Sequence, residues 1–166
     1  MVELRTERLR LRRARPEDLE ALFAVLSHPE AMRYWSSPPH ADREQTRAWL
    51  DEMIAATDED FVVEFEGRVI GKAGAYRLPD VGYILHPDAW GRGLATEAMA
   101  AVVAHVFATR DVDRLTADVD PRNGASIRLL EKLGFRETGR AARTWRVGEE
   151  WCDSVYLALE RPTPRP

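Results

Sequence analysis

The sequence predicts one α/β domain with a mixed, mainly antiparallel sheet, in the element order βααβββαβαββ. Apolar and polar residues alternate at period two in residues 8–12 and 115–119, as in half-buried strands. Apolar residues at helical spacing occur in four other segments, and glycine, proline and aspartate turns separate the elements. A chain of 166 residues suffices for one well-packed domain and is short for two. We therefore expect a single domain over residues 1–160 and a frayed Pro-rich tail over 161–166.

Composition excludes several classes of protein. With 45% hydrophobic and 31% charged residues the chain is expected to be globular. A single cysteine, Cys152, rules out an intrachain disulfide, and the four histidines lack metal-ligand spacing, so we expect a metal-free, cytoplasmic protein. No apolar run reaches the ~20 residues of a membrane span, so no membrane partner is expected. A net charge of −4 argues against nucleic-acid binding.

The first fifteen residues contain six arginines. Residues 8–12 alternate arginine with leucine, which predicts a strand whose Leu9 and Leu11 enter the core while the arginines face water. An RNA-docking patch is the alternative interpretation of this charge.

The middle of the chain predicts two helices and three strands. The first helix follows Pro16, and the second begins at a capping box formed by Asp42 and Gln45. A hairpin turning at Glu66-Gly67 joins two apolar strands, 61–65 and 69–76, and the next strand spans 81–85. Further on we expect a helix reaching about Thr109, a strand over 115–119, a helix stopped by Gly134, and final strands near 136–147 and 151–159.

The stretch from Gly82 to Ala98 organises the chain. It combines an apolar strand, a turn at Pro87, a loop with two glycines and the first turn of a helix. Backbone N–H groups at a helix N-terminus attract an anion, and Gly91 and Gly93 allow close approach to the backbone. The stretch therefore predicts a phosphate-binding loop, with a plain connecting loop as the alternative.

Two familiar phosphate loops fit poorly. A nucleoside-triphosphate P-loop requires Gly-Lys-Ser/Thr, whereas Leu94-Ala95 follow the second glycine here. A dinucleotide fingerprint requires a third glycine where this chain has Thr96, although Asp113 lies near the position of that fingerprint's ribose-binding acid.

The segment from Trp90 to Ala98, Trp-Gly-Arg-Gly-Leu-Ala-Thr-Glu-Ala, resembles the pyrophosphate loop of the GNAT N-acetyltransferases, in the branch that acetylates ribosomal-protein N-termini. Gly93 and Ala95 match the family pattern, while Trp90 replaces its Gln/Arg. The resemblance covers nearly the whole chain and implies a GNAT fold that binds acetyl-CoA, with Arg92 adding charge at the rim. The implied cofactor-binding residues are Ile84, Leu85, His86, Trp90, Gly91, Arg92, Gly93, Leu94, Ala95, Thr96, Asn123 and Ser126.

A second motif runs from Asp120 to Phe135 and is similar to the pantetheine-binding helix of the same branch. The resemblance assigns Asn123 to the pantetheine arm and Ser126 to the thioester sulfur. Asn and Ser at the start of a helix are also common caps, which is the alternative reading. Many GNAT enzymes have a tyrosine general acid where this chain has Leu130, so the role would pass to Ser126.

The implied reaction is direct attack of an amine on the thioester. The candidate oxyanion donor is the backbone N–H of Leu85. Candidate bases are Asp80, Glu64 and Asp153, with Tyr83 as an orienting hydroxyl; Asp80 could equally be a plain turn aspartate.

The acceptor is expected to be a protein or peptide N-terminal α-amine, because such an amine is partly neutral near pH 7 without a strong base. A small amine (polyamine, aminoglycoside or amino-acid derivative) and a non-catalytic CoA-binding regulator remain alternatives. Trp35 and Trp49 either line an acceptor groove or pack in the core. A homodimer is plausible in this family.

Overall fold

The computed structural model describes residues 2–56 and 59–164. Their eight strands form one sheet in the order β1-β2-β3-β4-β5-β6-β8-β7, in which only β5 and β6 run parallel. The strands are β1 (Glu3–Arg5), β2 (Leu9–Arg12), β3 (Glu59–Phe65), β4 (Arg68–Arg77), β5 (Asp80–Leu85), β6 (Arg114–Val119), β7 (Arg136–Val147) and β8 (Glu150–Glu160).

Four α-helices cover the two faces of the sheet. They are α1 (Leu19–Leu26), α2 (Arg43–Ala55), α3 (Leu94–Thr109) and α4 (Gly124–Lys132). One core cluster joins α3 and α4 to the sheet, and it contains the buried Leu9 and Leu11 as expected. A second cluster joins α1 and α2 to the opposite face through Val62 and Ile84. The mixed α/β fold is thus confirmed.

Two details at the N-terminus differ from the sequence prediction. An additional short strand, β1, precedes the first predicted one and pairs with β2 through Leu4 and Leu11. Arg12 does not face water: it is only 7% exposed and binds both carboxylate oxygens of Asp18 at 2.8 and 3.0 Å. A guanidinium can be buried in this way when a carboxylate supplies two parallel acceptors. The other two strand arginines, Arg8 and Arg10, are also paired with carboxylates.

The domain extends one residue beyond its predicted end. The backbone N–H of Arg161 donates to the Asp113 carbonyl at 2.8 Å, and its guanidinium donates to the carbonyls of Phe107, Arg110 and Val112. Arg161 thereby joins the end of β8 to the C-terminal end of α3, so it belongs to the folded domain. The last two residues of the predicted tail, Arg165 and Pro166, lie outside the described residues.

The pairing of β5 with β6 positions the site. These parallel strands are in register at a single pair, Asp80 with Thr116, near the start of β5. Toward its carboxyl end β5 continues to pair with β4, where Leu85 lies opposite Gly71. The sheet is therefore open between β5 and β6 beside Leu85. Ligands of α/β sheets commonly bind at such openings beyond the carboxyl ends of strands.

Candidate active site

A cavity of about 1050 Å³ lies at the opening between β5 and β6. The glycine loop and the first turn of α3 form one wall, and α4 forms another. It brings together most of the residues predicted from the sequence: Tyr83, Ile84, Leu85, Trp90, Gly91, Gly93, Leu94, Ala95, Thr96, Asn123 and Ser126.

The glycine loop has the left-handed backbone that its sequence predicts. Gly91 and Gly93 both have φ of +74°, a conformation that L side chains rarely adopt, and Gly93 precedes the first residue of α3. Among the described residues, none accepts a hydrogen bond from the backbone N–H groups of residues 91–96. Because the first N–H groups of a helix have no partner within it, these donors remain available to an anion in the cavity.

The backbone N–H of Leu85 also points toward the opening. The next residue, His86, donates its N–H to the Ile70 carbonyl of β4 at 2.7 Å. Because successive residues of a strand point their N–H groups to opposite sides, the Leu85 N–H points away from β4. The Leu85 carbonyl does the same, since it accepts a 3.0 Å hydrogen bond from Trp90 Nε1. The predicted oxyanion donor thus faces the opening.

Asn123 and Ser126 of the second motif line the same cavity, together with Tyr83 of β5. Asn123 caps α4, accepting a hydrogen bond from the Ser126 N–H at 3.2 Å, so the capping alternative describes its side-chain oxygen correctly. Ser126 is 8% exposed. Burial raises the pKa of Tyr83 above its ordinary value, and a hydrogen bond with Ser126 partly offsets this effect. Tyr83 therefore keeps its proton at neutral pH and is coupled to Ser126.

A second cavity of about 510 Å³ adjoins the first. Arg33, Tyr34 and Trp35 line both. Trp49 from α2 and Trp145 from β7 also line the second cavity. Trp35 and Trp49 thus line this cavity and also pack against the core cluster of α1 and α2, so both interpretations hold in part. Its carboxylates come from five residues: Glu52, Asp60, Asp118, Asp120 and Asp153.

Two of the three predicted bases lie elsewhere. Asp80 accepts a 2.6 Å hydrogen bond from Thr116 and lines a third cavity of about 330 Å³, which adjoins the second through Tyr76, Arg77, Asp118 and Trp145. Glu64 binds Arg10 and Arg12 on the β2–β3 surface. Asp153 does line the second cavity, where its carboxylate accepts from the Arg143 N–H at 2.9 Å. The pairing of β5 with β6 orients Asp80, and the arginines of β2 orient Glu64. Local sequence reveals neither contact.

His86 and Arg92 contribute differently from the prediction. The His86 ring accepts a hydrogen bond from the Asp88 N–H at 3.1 Å and contacts His28 edge-on, so it caps the turn after β5. The Arg92 guanidinium lies over the Phe65 ring, 4.6 Å from its centroid. Cation–aromatic stacking directs this side chain toward β3, and the rim charge predicted for Arg92 is not supported by the geometry.

One contact at the glycine loop was missed by the sequence analysis. Arg8 donates from Nη1 to the Arg92 carbonyl at 2.9 Å and from Nε to Glu97 at 3.0 Å. Its partners lie more than eighty positions away, so no local pattern could have revealed the contact.

Within residues 2–56 and 59–164, no group of three or more His, Cys, Asp or Glu residues could hold a metal ion. The same described segments include no helix long and apolar enough to cross a membrane.

Comparison with known proteins agrees with this geometry. A family model described as an acetyltransferase (GNAT) domain matches residues 8–136. The Uncharacterized N-acetyltransferase p20 of Bacillus licheniformis is 32% identical over 152 residues, covering 84% of this chain and 85% of that protein. The crystal structure of a GNAT-family acetyltransferase from Bacillus anthracis is 26% identical with a TM-score of 0.86, covering 96% of this chain and 99% of that one.

Two further relatives are named for different acceptors. The Spermidine N(1)-acetyltransferase of Escherichia coli is 26% identical over 161 residues, 91% of this chain and 85% of that protein. The ribosomal protein uS5-alanine N-acetyltransferase of Escherichia coli is 32% identical over 89 residues, 54% of this chain and 46% of that protein. The similarity therefore supports membership of the GNAT family and does not single out the ribosomal-protein branch.

Proposed function

Because the chain belongs to the GNAT acetyltransferase family, and is thus an acetyl-CoA-dependent N-acetyltransferase, we propose that it acetylates a protein or peptide N-terminal α-amine. The observation that carries this proposal is the row of unpartnered N–H groups over residues 91–96, facing a cavity that continues to Ser126 and the Leu85 N–H. In this proposal the pyrophosphate binds the amide row and the acceptor enters through the second cavity.

The glycine loop fits such a ligand. A Cβ on Gly91 would meet nothing within 4 Å, and one on Gly93 would meet only the Arg8 guanidinium, so the backbone there is open to a bulky anion. When bound, acetyl-CoA supplies an activated acetyl thioester. Acetyl-CoA carries several phosphate charges, and backbone donors at a helix N-terminus bind such groups without a dedicated cation.

Each predicted catalytic group then has a distinct task. The Leu85 N–H donates to the acyl oxygen as negative charge develops on it, which is the largest contribution expected of a preorganised donor. The Ser126 hydroxyl hydrogen-bonds the departing sulfur, and Tyr83, protonated at neutral pH because burial raises its pKa, lines the same cavity as Ser126. A thiol with a pKa of about 8.5 is a fairly stable leaving group, so hydroxyl donors suffice.

The choice of acceptor depends on how much of the amine is unprotonated near neutral pH. An N-terminal amine has a pKa of about 7.7, whereas a lysine-type amine has about 10.4 and is almost fully protonated near neutral pH. Of the three predicted bases, only Asp153 lines the second cavity, and its carboxylate already accepts a backbone hydrogen bond. Because two of the predicted bases do not line this cavity and the third is already hydrogen-bonded, we take the more acidic α-amine as the preferred acceptor.

A polyamine is the second candidate, and one observation favours it. The second cavity carries five carboxylates against three cations, Arg33, Lys72 and Arg77, and a polyamine would bring additional ammonium groups to them. The relative named for spermidine supports the same possibility.

An acceptor panel separates the candidates. Release of free CoA thiol is measured with a peptide carrying a free α-amine, the same peptide blocked at its N-terminus but carrying lysine, and a polyamine. We expect the free α-amine peptide to react fastest. Faster turnover of the polyamine would select the second candidate, and binding of acetyl-CoA without turnover of any amine would identify a CoA-binding regulator.

A further inference from the structure

The segment before β2 contacts the glycine loop through Arg8. Its Nη1 donates to the Arg92 carbonyl at 2.9 Å, and its Nη2 is the nearest atom, at 3.6 Å, to the point where a Cβ on Gly93 would lie. The guanidinium is therefore hydrogen-bonded to Arg92 and lies beside Gly93.

This contact orients one backbone amide. The Arg92 carbonyl and the Gly93 N–H belong to the same peptide plane and, in a trans peptide, point in opposite directions. Because the carbonyl is held toward Arg8, the Gly93 N–H points away from Arg8. Gly93 lines the large cavity, whereas Arg8 is not among the residues lining it. Arg8 thus acts on the cavity through the loop rather than by touching its contents.

Arg8 is in turn held by Glu97, in the first turn of α3. Glu97 Oε1 accepts from Arg8 Nε at 3.0 Å, and Oε2 accepts from the Arg8 backbone N–H at 3.1 Å and from Thr6 Oγ1 at 2.7 Å. Burial alone would raise the pKa of Glu97, but the hydrogen bonds from Thr6 and Arg8 outweigh it and the pKa lies below its ordinary value. Glu97 is therefore charged at neutral pH.

A charged carboxylate at this position poses an electrostatic problem. An unpaired Glu97 would repel a second anion bound at the N-terminus of the same helix. The guanidinium of Arg8 removes that repulsion, and the four hydrogen bonds connect the start of β2, the glycine loop and α3 into one unit.

We propose that Thr6, Arg8 and Glu97 form a latch that positions the glycine loop for pyrophosphate binding, with Arg8 orienting the Gly93 amide. The proposal rests on the proposed function, because it assumes that the amide row binds the pyrophosphate of acetyl-CoA. Arg8 and Glu97 are positioning residues that do not contact the ligand.

The test compares two thioesters. Arg8→Met should raise the acetyl-CoA dissociation constant, measured by calorimetry, roughly tenfold, since hydrogen bonds from a charged group are lost. Its KM for S-acetylpantetheine, which lacks the pyrophosphate, should stay at the wild-type value. The matched control is Arg43→Met, which removes an Nε–carboxylate pair between Arg43 on α2 and Glu20 on α1, away from the glycine loop. This variant should leave both constants unchanged.

Two variants separate orientation from charge. Glu97→Gln removes a negative charge near the pyrophosphate, so a purely electrostatic role predicts tighter acetyl-CoA binding, whereas the latch predicts weaker binding. Arg8→Lys keeps the charge but cannot make both side-chain hydrogen bonds, to Glu97 and to the Arg92 carbonyl, at the same geometry. It should therefore recover at most part of the affinity that Arg8→Met loses. Tighter or unchanged binding in Glu97→Gln, full affinity in Arg8→Lys, or equal losses for both thioesters would overturn the latch. Failure of the wild-type protein to bind acetyl-CoA would instead refute the proposed function.

Discussion

Lys72 Nζ donates a 2.8 Å hydrogen bond to Asp60 Oδ2 on the floor of the second cavity, and both side chains are more than nine-tenths buried. Asp60 Oδ1 has no hydrogen-bond partner within the described part of the chain. The Lys72 ammonium also lies 5.3 Å from the centroid of the Tyr76 ring. The pair thus joins β3 and β4 beneath the proposed acceptor path and leaves one carboxylate oxygen unused.

Replacing one partner of this ion pair should cost more stability than the pair itself contributes, because the remaining charge stays buried. Asp60→Asn and Lys72→Met should each lower the free energy of unfolding by about 3 kcal/mol, because each leaves the partner charge buried and uncompensated. The double variant should lose clearly less than the sum of the two. Urea denaturation measures all four proteins, and strictly additive losses would show that the two charges are energetically independent.

The glycine loop can be tested with two glycines of equal strain. Gly93→Val should raise the acetyl-CoA dissociation constant strongly, because a β-branched side chain disfavours φ of +74° and the loop would have to move its backbone amides to relieve the strain. Gly67→Val introduces the same strain at φ of +78° in the β3–β4 turn, where a Cβ meets nothing within 4 Å. Both should lower Tm, but only Gly93→Val should weaken binding in calorimetry. Equal affinity in the two variants would contradict the proposal that the backbone amides of the glycine loop bind acetyl-CoA.

The hydroxyls of Ser126 and Tyr83 should act together on turnover. Ser126→Ala should lower kcat by about tenfold or more while changing the acetyl-CoA dissociation constant little, since a proton donor to the leaving group acts mainly in the transition state. Tyr83→Phe should have a smaller effect of the same kind. The double variant should be no slower than Ser126→Ala, because Tyr83 acts through Ser126. Wild-type kcat in Ser126→Ala would return Ser126 to a purely structural role.

The pH dependence of stability provides a test at Asp120. Hydrogen bonds from Arg122 lower the pKa of this carboxyl below its ordinary value. A carboxyl whose pKa is lower in the folded state stabilises the protein above its unfolded pKa of about 4, and the contribution is lost as the pH falls through the folded pKa. Asp120→Asn should therefore lower Tm at pH 7 and have a much smaller effect at pH 2. An equal loss of Tm at both pH values would exclude this electrostatic contribution.

The elements of this protein could be predicted because their signals are local. Alternation at Leu9 and Leu11, the cap at Asp42, the turn at Glu66-Gly67 and the stop at Gly134 each depend on residues within a few positions. The glycine loop and the Asn123–Ser126 motif are local in the same sense, so these two walls of the large cavity could be predicted from sequence alone.

Other features depend on which distant elements pack together. The sequence could not show that Asp80 is hydrogen-bonded to Thr116 and lines neither of the two larger cavities. Nor could it show that the Arg92 side chain stacks on Phe65, or that Arg8 is hydrogen-bonded to the backbone of the glycine loop. These contacts join residues separated by tens of positions, and their geometry exists only once strands and helices have packed. Local chemistry thus determined most of the secondary structure and the glycine loop of this acetyltransferase. Packing decided which charges are paired and which side chains reach the cavity, because the pairing of a charge depends on neighbours that only the folded chain brings together.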